Sequence, residues 1–175
     1  AYGSAAEMRV ASVELRRVGQ TNVLGRYPLH LHVLGDAGQH SYIRGCSIHE
    51  SYYRCVSIHG TNRATIHDTV AYDAIGHCFY LEDGVEEQNT LSANLAAHVH
   101  FMGSPARSNG GQTIDPVTED TASLLLPADV AASGFYITNA YNTIVDNAAS
   151  GGWAGFAFPN LERPIKLHST VQLSP

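Results

Sequence analysis

Charge is what this chain has least of. Asp, Glu, Lys and Arg make up 15% of 175 residues. A helical protein of this size places Lys and Glu on its solvated faces, and helix formers in periodic runs are scarce here, which argues against a helical fold. No run of 18 apolar residues exists, so no hydrophobic helix is expected to cross a membrane. Cysteine is limited to Cys46, Cys55 and Cys78, too few for a disulfide scaffold. A basic stripe is also missing. Residues 1–66 hold seven Arg against four acids, and residues 67–175 hold three Lys or Arg against twelve acids. That balance excludes general nucleic-acid binding. The Arg residues near the first repeats (Arg16, Arg17, Arg26, Arg44, Arg54, Arg63) read equally as a patch for an anionic partner or as scattered surface charge. The opening AYGSAAEMR lacks the features of a signal peptide and does not read as a natural start, so a fragment of a longer chain is expected.

What is present is a repeat. Between Arg26 and Gly84 lie three short runs: Pro28-Leu29-His30-Leu31-His32, Cys55-Val56-Ser57-Ile58-His59 and Cys78-Phe79-Tyr80-Leu81-Glu82. Each alternates apolar with polar, the period of a strand with one buried face. The offsets are 27 and 23 residues. Leu29, Val56 and Phe79 then fall in one column, and Leu31, Ile58 and Leu81 in another. The polar columns are His30/Ser57/Tyr80 and His32/His59/Glu82. Short strands repeating every 20–50 residues or so indicate a solenoid, in which a sequence column becomes a ladder with rungs about 4.8 Å apart.

A second strand per coil is expected. Ile43 to Ile48, Ile66 to Ala71, Leu91 to Ala96 and Ile144 to Ala149 share one form, preceded in the first coil by a strand from Val10 to Arg17. Asn89 and Asn142 lie two residues before the last two of these strands. Asn tolerates left-handed backbone at corners, and stacked amides form ladders. Gly134 to Thr138 and Gly155 to Phe158 resume the first type. Residues 103–133, rich in Gly, Pro and Ser, read as one long loop excursion, after which Leu124-Leu125-Leu126-Pro127 returns the chain to the body. The tail contributes at most a last strand, Ile165 to Leu167. Cys55 and Cys78 share a column, so a bridge is geometrically feasible, but stacking of small residues is the favoured reading.

The chemistry-bearing column is His32/His59/Glu82, with His30 beside it. Two His and a carboxylate form a recurring metal-ligand set, so His30, His32, His59 and Glu82 are the expected ligands of a divalent ion (Zn, Cu, Ca or Mn), with Asp83 and Asp36 as outer orienters of the imidazoles. In direct acid–base catalysis, His32, His59, Glu82, His77 and Asp83 are the candidates. Adjacent strand residues point to opposite faces, so Glu82 and Asp83 can cooperate only if Asp83 already lies in the turn at Gly84. A solvated His/Glu ladder without chemistry is the competing reading. Tyr72, Tyr80 and Trp153 are expected to pack rather than to serve as sugar platforms. His49 and His67 are expected to be structural, while His40, His98, His100 and His168 have no column partners and receive no role.

The ordered segments GRYPLHLHVLGD, YIRGCSIHES, RCVSIHGTN, VAYDAIGHCFYLEDG, LLLPAD, FYITNAYNTIVDNAASG and GFAFP resemble the β-helix region of the G8-domain protein family, over residues 10–160 or thereabouts. The resemblance implies an all-β fold: one domain over residues 1–175, a single-stranded right-handed parallel β-helix with coils of about 21–27 residues. It also implies an extracellular or cell-surface setting and a polysaccharide partner, because some members bind or depolymerise hyaluronan. Other members are surface-coat proteins, so a non-catalytic adhesion segment, joined to flanking domains or self-associating, stands as the alternative.

Overall fold

A computed structural model describes residues 1–101, 131–159, 161 and 163–172. Fifteen strands occur among them. They are β1 (Arg9–Ala11), β2 (Glu14–Arg16), β3 (Leu29–Gly35), β4 (Tyr42–Arg44), β5 (Ser47–Ser51), β6 (Val56–Thr61), β7 (Thr65–His67), β8 (Val70–Ile75), β9 (Phe79–Leu81), β10 (Thr90–Ser92), β11 (Leu95–His100), β12 (Ser133–Tyr136), β13 (Thr143–Val145), β14 (Ala148–Gly151) and β15 (Ala154–Ala157). They form three parallel five-stranded sheets, ordered β1-β4-β7-β10-β13, β2-β5-β8-β11-β14 and β3-β6-β9-β12-β15. Every third strand pairs with the next coil, so the chain is a parallel β-helix. No helix among the described residues is long and apolar enough to cross a membrane.

The expected columns are the observed registers. Leu29 pairs with Val56 and Val56 with Phe79, while Leu31, Ile58 and Leu81 form the second inward row. Phe135 continues from Phe79 and is followed by Phe156. The three Phe rings stack at 4.7 Å with planes 6° apart. Each large apolar side chain buried in these stacks contributes about 1.5–3 kcal/mol of transfer free energy.

Each coil has three strands, not two. The segments read as single strands, Val10 to Arg17 and Ile43 to Ile48 among them, break at a corner. The chain turns there through a left-handed residue, repeated at Ser12, Gly45, Asp68, Ala93 and Asp146. Such backbone costs a non-Gly residue roughly 1–2 kcal/mol, and the first four of these corners carry a bond to the next coil that offsets it. Ser12 N donates to Arg44 O, Gly45 N to His67 O and Asp68 N to Ser92 O. The corner shifts the inward set to Ile43, Cys46 and Ile48, a spacing of three and then two rather than strict alternation.

Asn side chains staple this corner and the one before it. Asn89 Oδ1 accepts from Ala64 N (2.9 Å) and its Nδ2 donates to Thr61 O (3.0 Å). Asn142 Oδ1 accepts in turn from Asn89 N (2.8 Å). Asn94 and Asn147 repeat the arrangement one corner later, Asn94 N donating to Asn147 Oδ1 at 2.9 Å.

Two expectations are corrected. Cys55 and Cys78 are joined in a disulfide, with Cα atoms 4.6 Å apart; the lateral strand spacing brings the two thiols within bonding reach. Ile165 to Leu167 is not a strand: residues Lys166–His168 form a 3-10 turn, and Ile165 N donates to Asp83 O. The excursion read over 103–133 falls outside the described residues except for its last three. Of those, Ser133 already belongs to β12. The return segment Leu124 to Pro127 also lies outside them.

Candidate functional site

The polar columns of β3, β6 and β9 turn away from the core, yet they are covered. Ala1 N donates to His30 O (2.8 Å) and Tyr2 stacks on His32 at 5.1 Å. The tail lies over the other end. Only 7% of His59 and 6% of Glu82 is accessible, and Asp83 is fully buried, so this is not the open solvated ladder that the columns alone suggest.

Three imidazoles meet beneath this cover. His32 pairs with His59 in the ladder, their ring centroids 4.6 Å apart, and His30 lies 4.8 Å from His32 and 6.2 Å from His59. One ring nitrogen of each lies within 4.8 Å of the others. His30 Nε2 and His32 Nδ1 are buried with no hydrogen-bond partner among the described residues. Burial pushes His30 down to about 4 and also lowers His32, with His59 adding to both shifts. These two rings are therefore neutral at physiological pH, with lone pairs available.

His59 differs. Burial disfavours its cation, but the hydrogen bond to Asp83 and the fields of Glu82, Asp83 and Glu86 outweigh that and raise its pKa. Its Nε2 donates to Asp83 Oδ2 at 2.9 Å and its Nδ1 lies 3.7 Å from Glu82 Oε2. Both carboxylates thus address one imidazole. β9 ends at Leu81, so Glu82 extends the column by one residue and Asp83 sits in the turn, which frees it from strand parity. Asp83 Oδ1 is buried and unpartnered among the described residues. Burial alone would raise the Asp83 pKa, but hydrogen bonds from His59 and His168 hold it below the ordinary value.

Three contributors were not legible as site residues. His168 Nδ1 donates to Asp83 Oδ2 at 2.7 Å. Lys166 Nζ donates to Glu82 Oε1 (3.1 Å) and to the Tyr80 hydroxyl (2.9 Å). Both come from the tail, and no column spacing points to them. Glu86 pins the turn: its carboxylate accepts from Gly60 N, Asp83 N and Gly84 N at 2.9–3.1 Å. Burial nevertheless raises its pKa. The acidic cluster LEDGVEE was its signal. A cavity of about 370 Å³ opens beside His168, lined in part by Val33, Gly60, Asn62 and Glu87.

His77 lies at the flank, its ring stacked on Tyr80 (5.6 Å) and tilted by 35° against Tyr136 (4.2 Å), and its Nδ1 accepts from Ser133 N. Asp36 orients no imidazole: it accepts from Asn62 and pairs with Arg63. Arg54 belongs to no surface patch, being fully buried with its guanidinium 3.6 Å over the Tyr80 ring. Tyr80 packs as expected, but Tyr72 and Trp153 are about half exposed. His49 bonds Glu14 and His67 bonds Ser92 on the outer face.

With this geometry in hand, comparison with known proteins adds the following. The family model described as CEMIP beta-helix matches residues 1–174. Protein rliB of Dictyostelium discoideum is 56% identical over 169 residues, which is 97% of this chain and 15% of that protein. Communication mutant protein F of the same organism is 55% identical over 172 residues, 98% of this chain and 15% of that protein. Cell surface hyaluronidase CEMIP2 of Homo sapiens is 36% identical over 178 residues, 95% of this chain and 13% of that protein. The chain therefore spans only a small part of the length of the relatives it matches.

Proposed function

The chain belongs to the CEMIP β-helix family, the β-helix module of hyaluronidase-related proteins, and on that premise we propose that its His30/His32/His59/Glu82/Asp83 face binds and depolymerises an anionic polysaccharide of the hyaluronan kind. The observation that carries this reading is the His59 imidazole held between two carboxylates, 2.9 Å from Asp83 and 3.7 Å from Glu82, beside two neutral imidazoles. Titratable groups pushed in opposite directions within one site mark acid and base roles. His59, whose cation is favoured, is the proton donor to a leaving glycosidic oxygen. His32, held neutral, is the acceptor on the neighbouring rung. Asp83 fixes the His59 tautomer, and Lys166 orients Glu82 while supplying positive charge for a uronate carboxylate. His77 supports the Tyr80 ring at the flank.

The same residues fit a divalent ion. Two buried imidazole nitrogens without partners, the His59 ring and the Glu82 carboxylate form a nitrogen-rich donor set suited to Zn, Cu or Mn. Ca, which takes oxygen ligands, fits it poorly. Such an ion would neutralise a substrate carboxylate or acidify a water. In that arrangement Asp83 is the outer carboxylate that orients a ligating imidazole. The setting is extracellular or at the cell surface, and the Cys55–Cys78 disulfide supports this, because such bonds persist in oxidising compartments.

The test is hyaluronan chain length, followed by viscometry and gel electrophoresis, with the full-length parent protein and with residues 1–175. His59→Ala is expected to lower the rate by about 10²–10⁴-fold. No loss of chain length for any glycosaminoglycan, with Zn, Cu and Mn supplied in turn, sinks the catalytic reading.

The last strand among the described residues supports a second reading, a non-catalytic adhesion or coat segment. β15 is the edge of the third sheet, and Phe158 just beyond it is 59% exposed. Unpaired edges template further strands, here flanking domains or a second copy. Self-association that survives replacement of His30, His32 and His59 together is the outcome this reading requires.

A further inference from the structure

A second group of donors lies on the second sheet, outside the face described above. β8 and β11 pair Tyr72 with Ala97 and Ala74 with Val99, which leaves Asp73 and His98 opposite each other. Both have left-handed backbone, φ 60° and 56°. The column continues a feature of earlier coils, since Arg17 and Glu50 are left-handed at the same position. In those coils the column closes on itself, Glu50 binding Arg17 at 2.6 Å and Arg16 at 2.8 Å. In the later coils the same position carries a carboxylate and an imidazole.

The kink decides where the side chains go. Ala96 and Val99 face inward while His98 is exposed and His100 partly so. The two imidazoles flank Val99 and meet outside the wall, their centroids 4.3 Å apart at 75°. His100 Nε2 lies 2.7 Å from Asp73 Oδ1. One donor atom from each of Asp73, His98 and His100 lies within 4.8 Å of the others. His98 makes no side-chain hydrogen bond among the described residues; its ring is held by stacking on Tyr72 at 5.5 Å and 23°. Stacking limits the ring's rotamer freedom, so less order has to be imposed when a ligand binds. A cavity of about 420 Å³ reaches Asp73 and His100, leaving room for water to complete a coordination shell. The Arg17 on its rim is already engaged by Glu50 and does not compete for Asp73.

We propose that Asp73, His98 and His100 form a cation site for a divalent first-row transition ion of the zinc class. Two imidazoles and one carboxylate favour Zn, Ni or Cu over Mg or Ca, and three protein donors with an open position are the usual form of an accessible zinc site. The site stands apart from the His30/His32/His59 face and does not depend on the polysaccharide reading.

The test is ion uptake by the tag-free full chain after chelator stripping. Bound Zn²⁺ per chain is counted by elemental analysis after desalting, affinity is read by calorimetry, and Co²⁺ reports coordination through its visible spectrum. The double variant His98→Ala/His100→Ala is expected to lose one ion per chain relative to wild type. Asp73→Asn is expected to weaken Zn²⁺ binding at this site by at least about tenfold. The double variant His30→Ala/His32→Ala, measured in parallel, is expected to retain this ion. If it also loses none, the ion proposed for the first face falls while this site stands. Equal stoichiometry and affinity in wild type and His98→Ala/His100→Ala overturns the proposal. The two rings project outside the wall, so their removal leaves the core intact, and an unchanged far-UV circular dichroism spectrum verifies it.

Discussion

His168 Nδ1 donates to Asp83 Oδ2 at 2.7 Å, to the same oxygen that accepts from His59 Nε2 at 2.9 Å. One carboxylate thereby ties β6 to a tail that lies 85 residues beyond Asp83 itself. The tail is thus part of the face, and its docking is testable.

His168 sits against Gly60, where an added Cβ would lie 2.6 Å from the imidazole Cε1. Gly60 also has φ +52°. Gly60→Ala is expected to cost about 1–2 kcal/mol from the left-handed backbone alone and to displace His168. His168→Ala removes the same link without the backbone cost. In both variants trypsin should cleave after Lys166 faster than in wild type. Unchanged cleavage in both would show that the tail is held by other contacts.

The Cys55–Cys78 disulfide closes a loop with a sequence separation of 23. Chain-entropy arguments assign a loop of this size about 3 kcal/mol. Reduction, or the Cys55→Ala/Cys78→Ala double variant, should lower the urea midpoint by the corresponding amount. An unchanged midpoint under reducing conditions would show that the two coils need no covalent tie.

Asn89 is fully buried and satisfies Ala64 N and Thr61 O. Asn89→Ala strands a buried donor and a buried acceptor, each costing about 1–3 kcal/mol. It should rank among the more destabilising single changes in the molecule, read by urea denaturation. Asn89→Asp keeps the acceptor for Ala64 N but turns a buried carboxylate toward Thr61 O, so it should be destabilising at neutral pH and recover as the carboxyl is protonated in acid.

Stability should peak near neutral pH. His30 has a folded pKa of about 4, below its unfolded value. The unfolded state therefore takes up the proton first, and stability falls as pH drops from about 6.5 toward 4. His59 has a raised folded pKa. Its contribution is complete below the unfolded value and is lost as pH rises through the folded one. Asp83, with a lowered pKa, adds stability above its unfolded value that is lost as pH falls through the folded one. Thermal melts across pH 4 to 9 should show both limbs. His30→Asn should flatten the acid limb and leave the alkaline limb, and an unchanged acid limb in that variant would remove His30 as its cause.

The limits of the sequence reading follow the range of each interaction. Leu29, Val56 and Phe79 could be aligned because a parallel ladder turns a fixed offset into contact. The corner at Gly45 is hidden in the sequence because apolar residues continue across it, and only the inward spacing of Ile43, Cys46 and Ile48 marks it. The disulfide is not decided by the sequence, because a shared column gives lateral spacing but not the direction of two thiols. Tyr72, expected to pack, lies half exposed with its ring against His98, since period alone does not say what covers an outer face.

By itself the sequence determined the repeat, the inward rows and the meeting of His32 with His59, because each follows from a spacing between strands that stack at one fixed distance. Tertiary structure alone decided that this face is roofed, that Asp83 leaves strand parity to serve two imidazoles, and that Lys166 and His168 complete it. Those contacts join segments with no common period. Their formation depends on how residues 1–2 and 165–168 fold over the wall, a balance of burial and charge pairing that exists only once the coils are assembled.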